Sequence, residues 1–175
     1  TMYIGDIGQS QIEEVNIGIA GANYGWRLRE GTFATAFGIG NVRPNPVYPR
    51  PQDDQEFTYP VAQFDHDEGN AISSVFVYRG NAVPALRGKA VFTDMVTGRV
   101  FYIDTDNLEP GNPTTIRELR VTFAGYERNV ADAVGFSNTY AFGNRAGLRL
   151  GSDSQGELYF LTKGDGRVRK VIAAP

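Results

Sequence analysis

Between Gly5 and Trp26 the chain reads GDIGQSQIEEVNIGIAGANYGW, which puts a carboxylate pair, Glu13 and Glu14, in a strand-like run ahead of an Asn-Tyr-Gly-Trp turn. Other residues with chemical potential are sparse. Asp65-His66-Asp67-Glu68 collects hard-metal ligand types but lies between strand-like runs, and it reads as an ordinary polar loop with His66 a surface imidazolium. Asp104-Thr105-Asp106-Asn107 opens like an EF-hand loop, yet the sixth and twelfth positions hold Glu109 and Thr115 where that loop needs Gly and Glu. A solvated turn is the better reading. Arg167 and Arg169 stand two apart on a strand and so share a face, which could meet an anion but reads more simply as a solvent face. Gly18, Gly21 and Gly25 do not spell a dinucleotide fingerprint, and no strand–helix context surrounds them. His66 is the single histidine, and no G-x-S-x-G elbow or Ser/His/Asp arrangement exists for it to serve.

The elements that must position these groups are strands. Three hairpin-like units recur: Tyr3–Asp6 with Glu14–Ile17, Val91–Asp94 with Arg99–Ile103 across Thr97-Gly98, and Leu158–Thr162 with Arg167–Val171 across Asp165-Gly166. Gly after Asp or Thr between β-rich runs signals a tight hairpin, and a type I′ turn would need positive φ at both central residues. Further strands fit at Ala71–Arg79, Gly147–Ser152 and Thr115–Phe123. Strand, hairpin and outer strand are the content of a four-stranded propeller blade. Trp26, Tyr3, Phe92 and Tyr159 alternate with polar residues and are expected in the core between sheets. Unequal spacing of the hairpins implies loop insertions, which the prolines at 44, 46, 49, 51 and 60 place at 32–63 as an extended surface loop, with a second irregular segment at 124–146.

Composition agrees. Apolar residues make up 41% and aromatics 12%, with 21 Gly and 9 Pro scattered among short apolar runs, so an all-β globular fold is expected. A net charge of −3 gives no electrostatic support to nucleic-acid binding. No apolar run approaches the roughly 18 residues of a membrane span, and the first residues lack a signal-peptide pattern. Without cysteine there is no disulfide framework and no thiolate metal site.

The reading is therefore one domain over 1–175: a β-propeller portion of about three four-stranded blades, at about 1–31, 64–123 and 147–175. The first unit lacks an inner strand and the last lacks an outer one. Open sheet edges invite association, so the expected partners are further propeller blades or another copy of the chain.

GDIGQ at 5–9, EEVN at 13–16, NYGWRLREGT at 23–32, AISSVFVYRGNAVPALRGKAVFTD at 71–94 and GSDSQGELYFLT at 151–162 resemble the glucose/sorbosone dehydrogenase family. These are six-bladed propellers that include soluble aldose dehydrogenases dependent on pyrroloquinoline quinone (PQQ), and the resemblance is to their C-terminal half. It implies a periplasmic or secreted oxidoreductase acting on a sugar or other small molecule, with PQQ and calcium. In relatives a glutamate ten residues before the tyrosine of Asn-Tyr-Gly-Trp helps hold calcium, which carries over to Glu14 and the main-chain oxygen of Tyr24. The family's histidine base belongs to the other half, so no catalytic residue is assigned and His66 does not take that role. Where PQQ-using relatives carry a lysine this chain reads Asp94-Met95-Val96, and where they carry arginines it reads Gly147-Leu148-Arg149-Leu150. The cofactor-binding residues therefore stay unassigned. The alternative implied by these departures is a non-catalytic extracellular propeller that binds carbohydrate or protein.

Overall fold

The computed structural model describes residues 1–36, 46–51, 54, 56–123, 125–133 and 145–174. Chain order begins with β1 (Tyr3–Asp6) and β2 (Ile12–Ile17), continues through β3 (Arg29–Glu30), β4 (Phe33–Thr35) and β5 (Val47–Pro49), and returns with β6 (Ala62–Asp65) to pair with β2. Next come β7 (Ile72–Val77), β8 (Ala90–Asp94), β9 (Val100–Ile103) and β10 (Arg117–Glu118), a four-stranded antiparallel sheet. After β11 (Val121–Phe123), β12 (Tyr126–Arg128) and the short helix α1 (Val130–Ala133), the last sheet is β13 (Leu148–Ser152), β14 (Leu158–Thr162) and β15 (Arg167–Lys170).

The sheets stack face to face because their strands alternate. In β8, Ala90 and Phe92 enter the core shared with the first sheet while Val91 enters the core shared with the last. β9 repeats the pattern, with Phe101 and Ile103 on one side and Val100 on the other. A middle sheet covered on both faces accounts for β8 being buried throughout. Phe64, Phe92 and Phe101 fill the first interface with ring centroids 5.3 to 6.3 Å apart. Full burial of one such ring stabilises by roughly 1.5–3 kcal/mol.

The three hairpins expected from sequence are β1–β2, β8–β9 and β14–β15. β7 and β13 precede the second and third, whereas the first sheet runs β1-β2-β6 with no strand ahead of β1 among the described residues. All-β sheets in this stack form part of a propeller, although only β7–β10 has four strands.

Several local expectations are corrected. Segment 32–63 is not one loop: β4, β5 and the start of β6 lie in it, and Pro49 is tolerated because β5 is an edge strand. Residues 37–45, 52, 53 and 55 of that segment lie outside the described residues. Segment 124–146 contains β12 and α1, with 124 and 134–144 outside the description. The outer strand expected over Thr115–Phe123 is split. Arg117 and Glu118 pair with β9, and Val121–Phe123 turns back on β12 instead. The hairpin turns are not type I′: Gly98 and Gly166 have φ of +76° and +64°, while Thr97 and Asp165 are not left-handed. Side-chain oxygens do the remaining work. Asp94, fully buried, accepts hydrogen bonds from the backbone N–H groups of Val96 and Thr97 in its own turn and of Asn70 and Ala71 in the preceding loop. Asp165 accepts from Thr162 and is paired with Arg169.

Candidate functional site

Glu14 projects from β2 with its carboxylate almost entirely buried, 6% of the residue being exposed. One carboxylate oxygen accepts the Gly31 N–H at 2.5 Å and the other accepts the Asn16 side-chain amide at 2.9 Å. Gly31 can approach so closely because it is left-handed (φ +60°), and an added Cβ there would lie 2.4 Å from Ile12. Burial raises the Glu14 carboxyl from its ordinary 4.5 to about 7, against the two hydrogen bonds and with the Asp6 and Glu30 carboxylates adding to the rise. Asn16 Oδ1 is buried without a hydrogen-bond partner among the described residues.

Tyr24 and Glu14 line one cavity of about 270 Å³, together with Asp6, Ile7, Gly8, Gln9, Trp26, Arg29 and Glu30. The Asn-Tyr-Gly-Trp turn is fastened there by its own side chains. Asn23 Oδ1 accepts the Gly25 N–H, and the Tyr24 hydroxyl donates to Ile17 O while accepting the Ile19 N–H. Arg29, the cation on the cavity wall, is engaged by Asp54, Tyr59 and Leu28 O. Glu30 is likewise committed, one oxygen accepting the N–H groups of Ser10, Gln11 and Ile12 at 2.7 to 3.0 Å.

Other sequence candidates have different fates. His66 is not a free surface imidazole: its Nε2 lies 3.0 Å from Oε1 of the fully buried Glu13, whose second oxygen accepts the Ile72 N–H. Burial raises the Glu13 carboxyl, partly offset by the Ile72 N–H and by His66. Within 65–68, Asp65 accepts the Asp67 N–H and Glu68 accepts the Asp65 N–H, which closes a local turn. Asp104 pairs with Lys89 and Arg117. Arg169 is held by Asp165 and Thr162, whereas Arg167 is exposed. Trp26 is 53% exposed and Tyr159 half-buried, so neither is the core residue expected of it; Phe92 is. No trio of His, Cys, Asp and Glu side chains is placed to hold a metal among the described residues.

A second cavity, about 430 Å³, was not legible in the sequence. Met95, Arg145, Gly147, Arg149, Lys163 and Gly164 line it, gathering three cations. Met95 and Lys163 each follow the last residue of an equivalent strand, β8 or β14, so the hairpin repeat was the signal that could have located Lys163. Arg145 and Arg149 bracket the start of β13. The Arg149 guanidinium also donates to Leu148 O at 3.0 Å.

The family model described as Glucose / Sorbosone dehydrogenase matches residues 1–170. The HIPL2 protein of Arabidopsis thaliana is 24% identical over 160 residues, covering 83% of this chain and 22% of its own length. The HIPL1 protein of the same plant is 25% identical over 167 residues, covering 90% and 22%. Among solved structures, a glucose dehydrogenase superposes with a TM-score of 0.60 at 18% identity, over 99% of this chain and 40% of its own. The soluble aldose sugar dehydrogenase of Escherichia coli, in its apo-form, gives 0.57 at 17%, over 99% and 41%. At such identities the superpositions speak for the fold, and the chain spans well under half of these proteins.

Proposed function

Because the chain belongs to the glucose/sorbosone dehydrogenase family, we propose that it is the C-terminal part of a sugar (aldose) dehydrogenase-like oxidoreductase that uses PQQ and calcium, in the periplasm or secreted. The observation that carries this reading is Glu14: a buried carboxylate sharing a cavity with Tyr24, beside the orphaned Asn16 Oδ1 and with the nearby Arg29 already engaged. Hard oxygens without a cation of their own suit calcium, and Glu14 with the Tyr24 main-chain oxygen would hold it.

The cationic cavity fits the other group. PQQ, when bound, supplies the acceptor for a hydride leaving a sugar carbon. Arg145, Arg149 and Lys163 would bind its carboxylates by charge-assisted hydrogen bonds. We assign no proton-abstracting base to this chain; its one histidine, His66, pairs with Glu13 and lines neither cavity. The chain's part is to bind and orient, alongside further blades or another copy of itself.

The test uses the complete gene product with PQQ and calcium, aldoses and a dye acceptor. Sugar-dependent dye reduction is expected, with PQQ affinity falling at least about tenfold in Arg149→Ala or Lys163→Ala, as loss of a charge-assisted pair implies. A folded protein that binds no quinone and oxidises no sugar would sink this reading and favour a non-catalytic, carbohydrate- or protein-binding propeller.

A further inference from the structure

The three equivalent hairpins end their first strands on Asp6, Asp94 and Thr162. At two of them the side chain is consumed by its own turn: Asp94 by Val96 and Thr97, and Thr162 by Asp165. Asp6 makes no such bond. Among the described residues its carboxylate carries no hydrogen bond and no ion pair, and it remains exposed on the cavity wall. The turn that Asp6 would otherwise cap, residues 7–11, is held instead from outside, by Glu30 accepting the N–H groups of Ser10, Gln11 and Ile12. Glu30 thereby releases Asp6.

Register then decides where the released carboxylate stands. Asp6 is directly opposite Glu14 in the β1–β2 ladder, so their side chains share a face with Cβ atoms about 5 Å apart. Like charges in direct cross-strand opposition destabilise a sheet unless something lies between them. Arg29 cannot fill that role, being held by Asp54. Two places further along β2, on the same face, Asn16 is 1% exposed; its amide N–H donates to Glu14 and its Oδ1 has no partner among the described residues. An exposed carboxylate, a buried one opposite that has only two neutral donors, and an unclaimed amide oxygen beside it form an oxygen set with no cation among the described residues.

We propose that Asp6 is a ligand of the same cation as Glu14, giving the site two carboxylates and admitting the ion from the solvent side. This rests on the calcium reading of Glu14 and goes beyond it. Calcium affinity rises with the number of charged ligands, so losing one of two should cost on the order of tenfold or more. The experiment titrates the complete gene product with calcium by calorimetry, and with terbium by luminescence, for which Trp26 on the cavity wall is the sensitiser. Asp6→Asn and Glu14→Gln are compared with the parent, and melting temperatures in chelator establish that each is folded. Both variants are expected to weaken binding, Asp6→Asn at least about tenfold while melting in chelator no lower than the parent. Glu14→Gln losing calcium while Asp6→Asn binds normally would overturn the role of Asp6 and leave the calcium reading standing. A parent that binds neither ion would overturn both. Should Asp6→Asn melt low, Asp6→Ser serves the same comparison.

Discussion

At the scale of single residues, buried carboxylates organise this chain by collecting backbone donors, and Glu14, like its neighbour Glu13, collects fewer than the rest. Asp94 takes four N–H groups and Glu30 takes three. Glu157 takes those of Asn81 and Ala82 plus the Tyr78 hydroxyl, which hold its carboxyl below the usual range. Glu14 has one backbone donor and one amide, and burial wins, lifting its carboxyl to about 7. A carboxyl raised on folding favours the folded state while protonated; that contribution is whole below about 4.5 and lost as the pH passes about 7. The loss is on the order of 3 kcal/mol. In chelator, the melting temperature should therefore fall between about pH 5 and pH 7 in the parent and stay flatter in Glu14→Gln. Calcium, which needs the ionised carboxylate, should restore most stability at and above pH 7. Superimposable pH profiles for parent and variant would show that Glu14 is not the group responsible.

At the scale of elements, the hairpin registers make a sharper prediction. The Val171 N–H donates to Leu158 O, so β15 bonds to β14 through Val171, Arg169 and Arg167, and the backbone groups of Val168 and Lys170 face away. Among the described residues no strand pairs with that edge, and Val168 is 66% exposed. Val168→Pro should thus cost little stability, whereas Arg169→Pro removes a ladder bond and a side chain tied to Asp165, costing roughly 1–3 kcal/mol. Chemical denaturation of the two variants checks this; equal losses would mean that another strand uses the edge. The same elements show what sequence could and could not give. Alternation and Gly-containing turns made the three hairpins legible, because a period of two and a positive φ are local properties. The split after Glu118 and strands β4 and β5 were not legible, since a two- or three-residue strand is defined by its neighbour rather than by its own pattern. Glu14 and Tyr24 were singled out by family resemblance and not by any local pattern, and the structure adds that they line one cavity. The cavity joining Arg145, Arg149, Lys163 and Met95 was not legible, because it joins residues from β13 and two separate turns.

At the scale of the whole molecule, the stack is closed in its middle and, among the described residues, open beyond its last sheet. The β7–β10 sheet has a packed core on each face, while the first sheet begins at β1 and the last ends at β15 with no further strand beside either among the described residues. The far face of the last sheet carries Leu161 and Val168 opposite one another in register, both exposed. Two solved relatives of the same fold continue for more than half of their length beyond the part matched here. In a propeller each sheet covers its neighbour's face, so apolar residues paired across an uncovered face call for another sheet. Basic side chains on β15 oppose pairing of that strand with its own copy, since Arg167 and Lys170 would meet like charges. The 175 residues expressed alone should therefore associate through faces rather than through the β15 edge. Sedimentation at increasing concentration should show oligomers that Leu161→Lys with Val168→Lys reduces to monomer, while Val168→Pro leaves them intact. A chain that sediments as a monomer throughout the micromolar range would mean that the far face needs no cover.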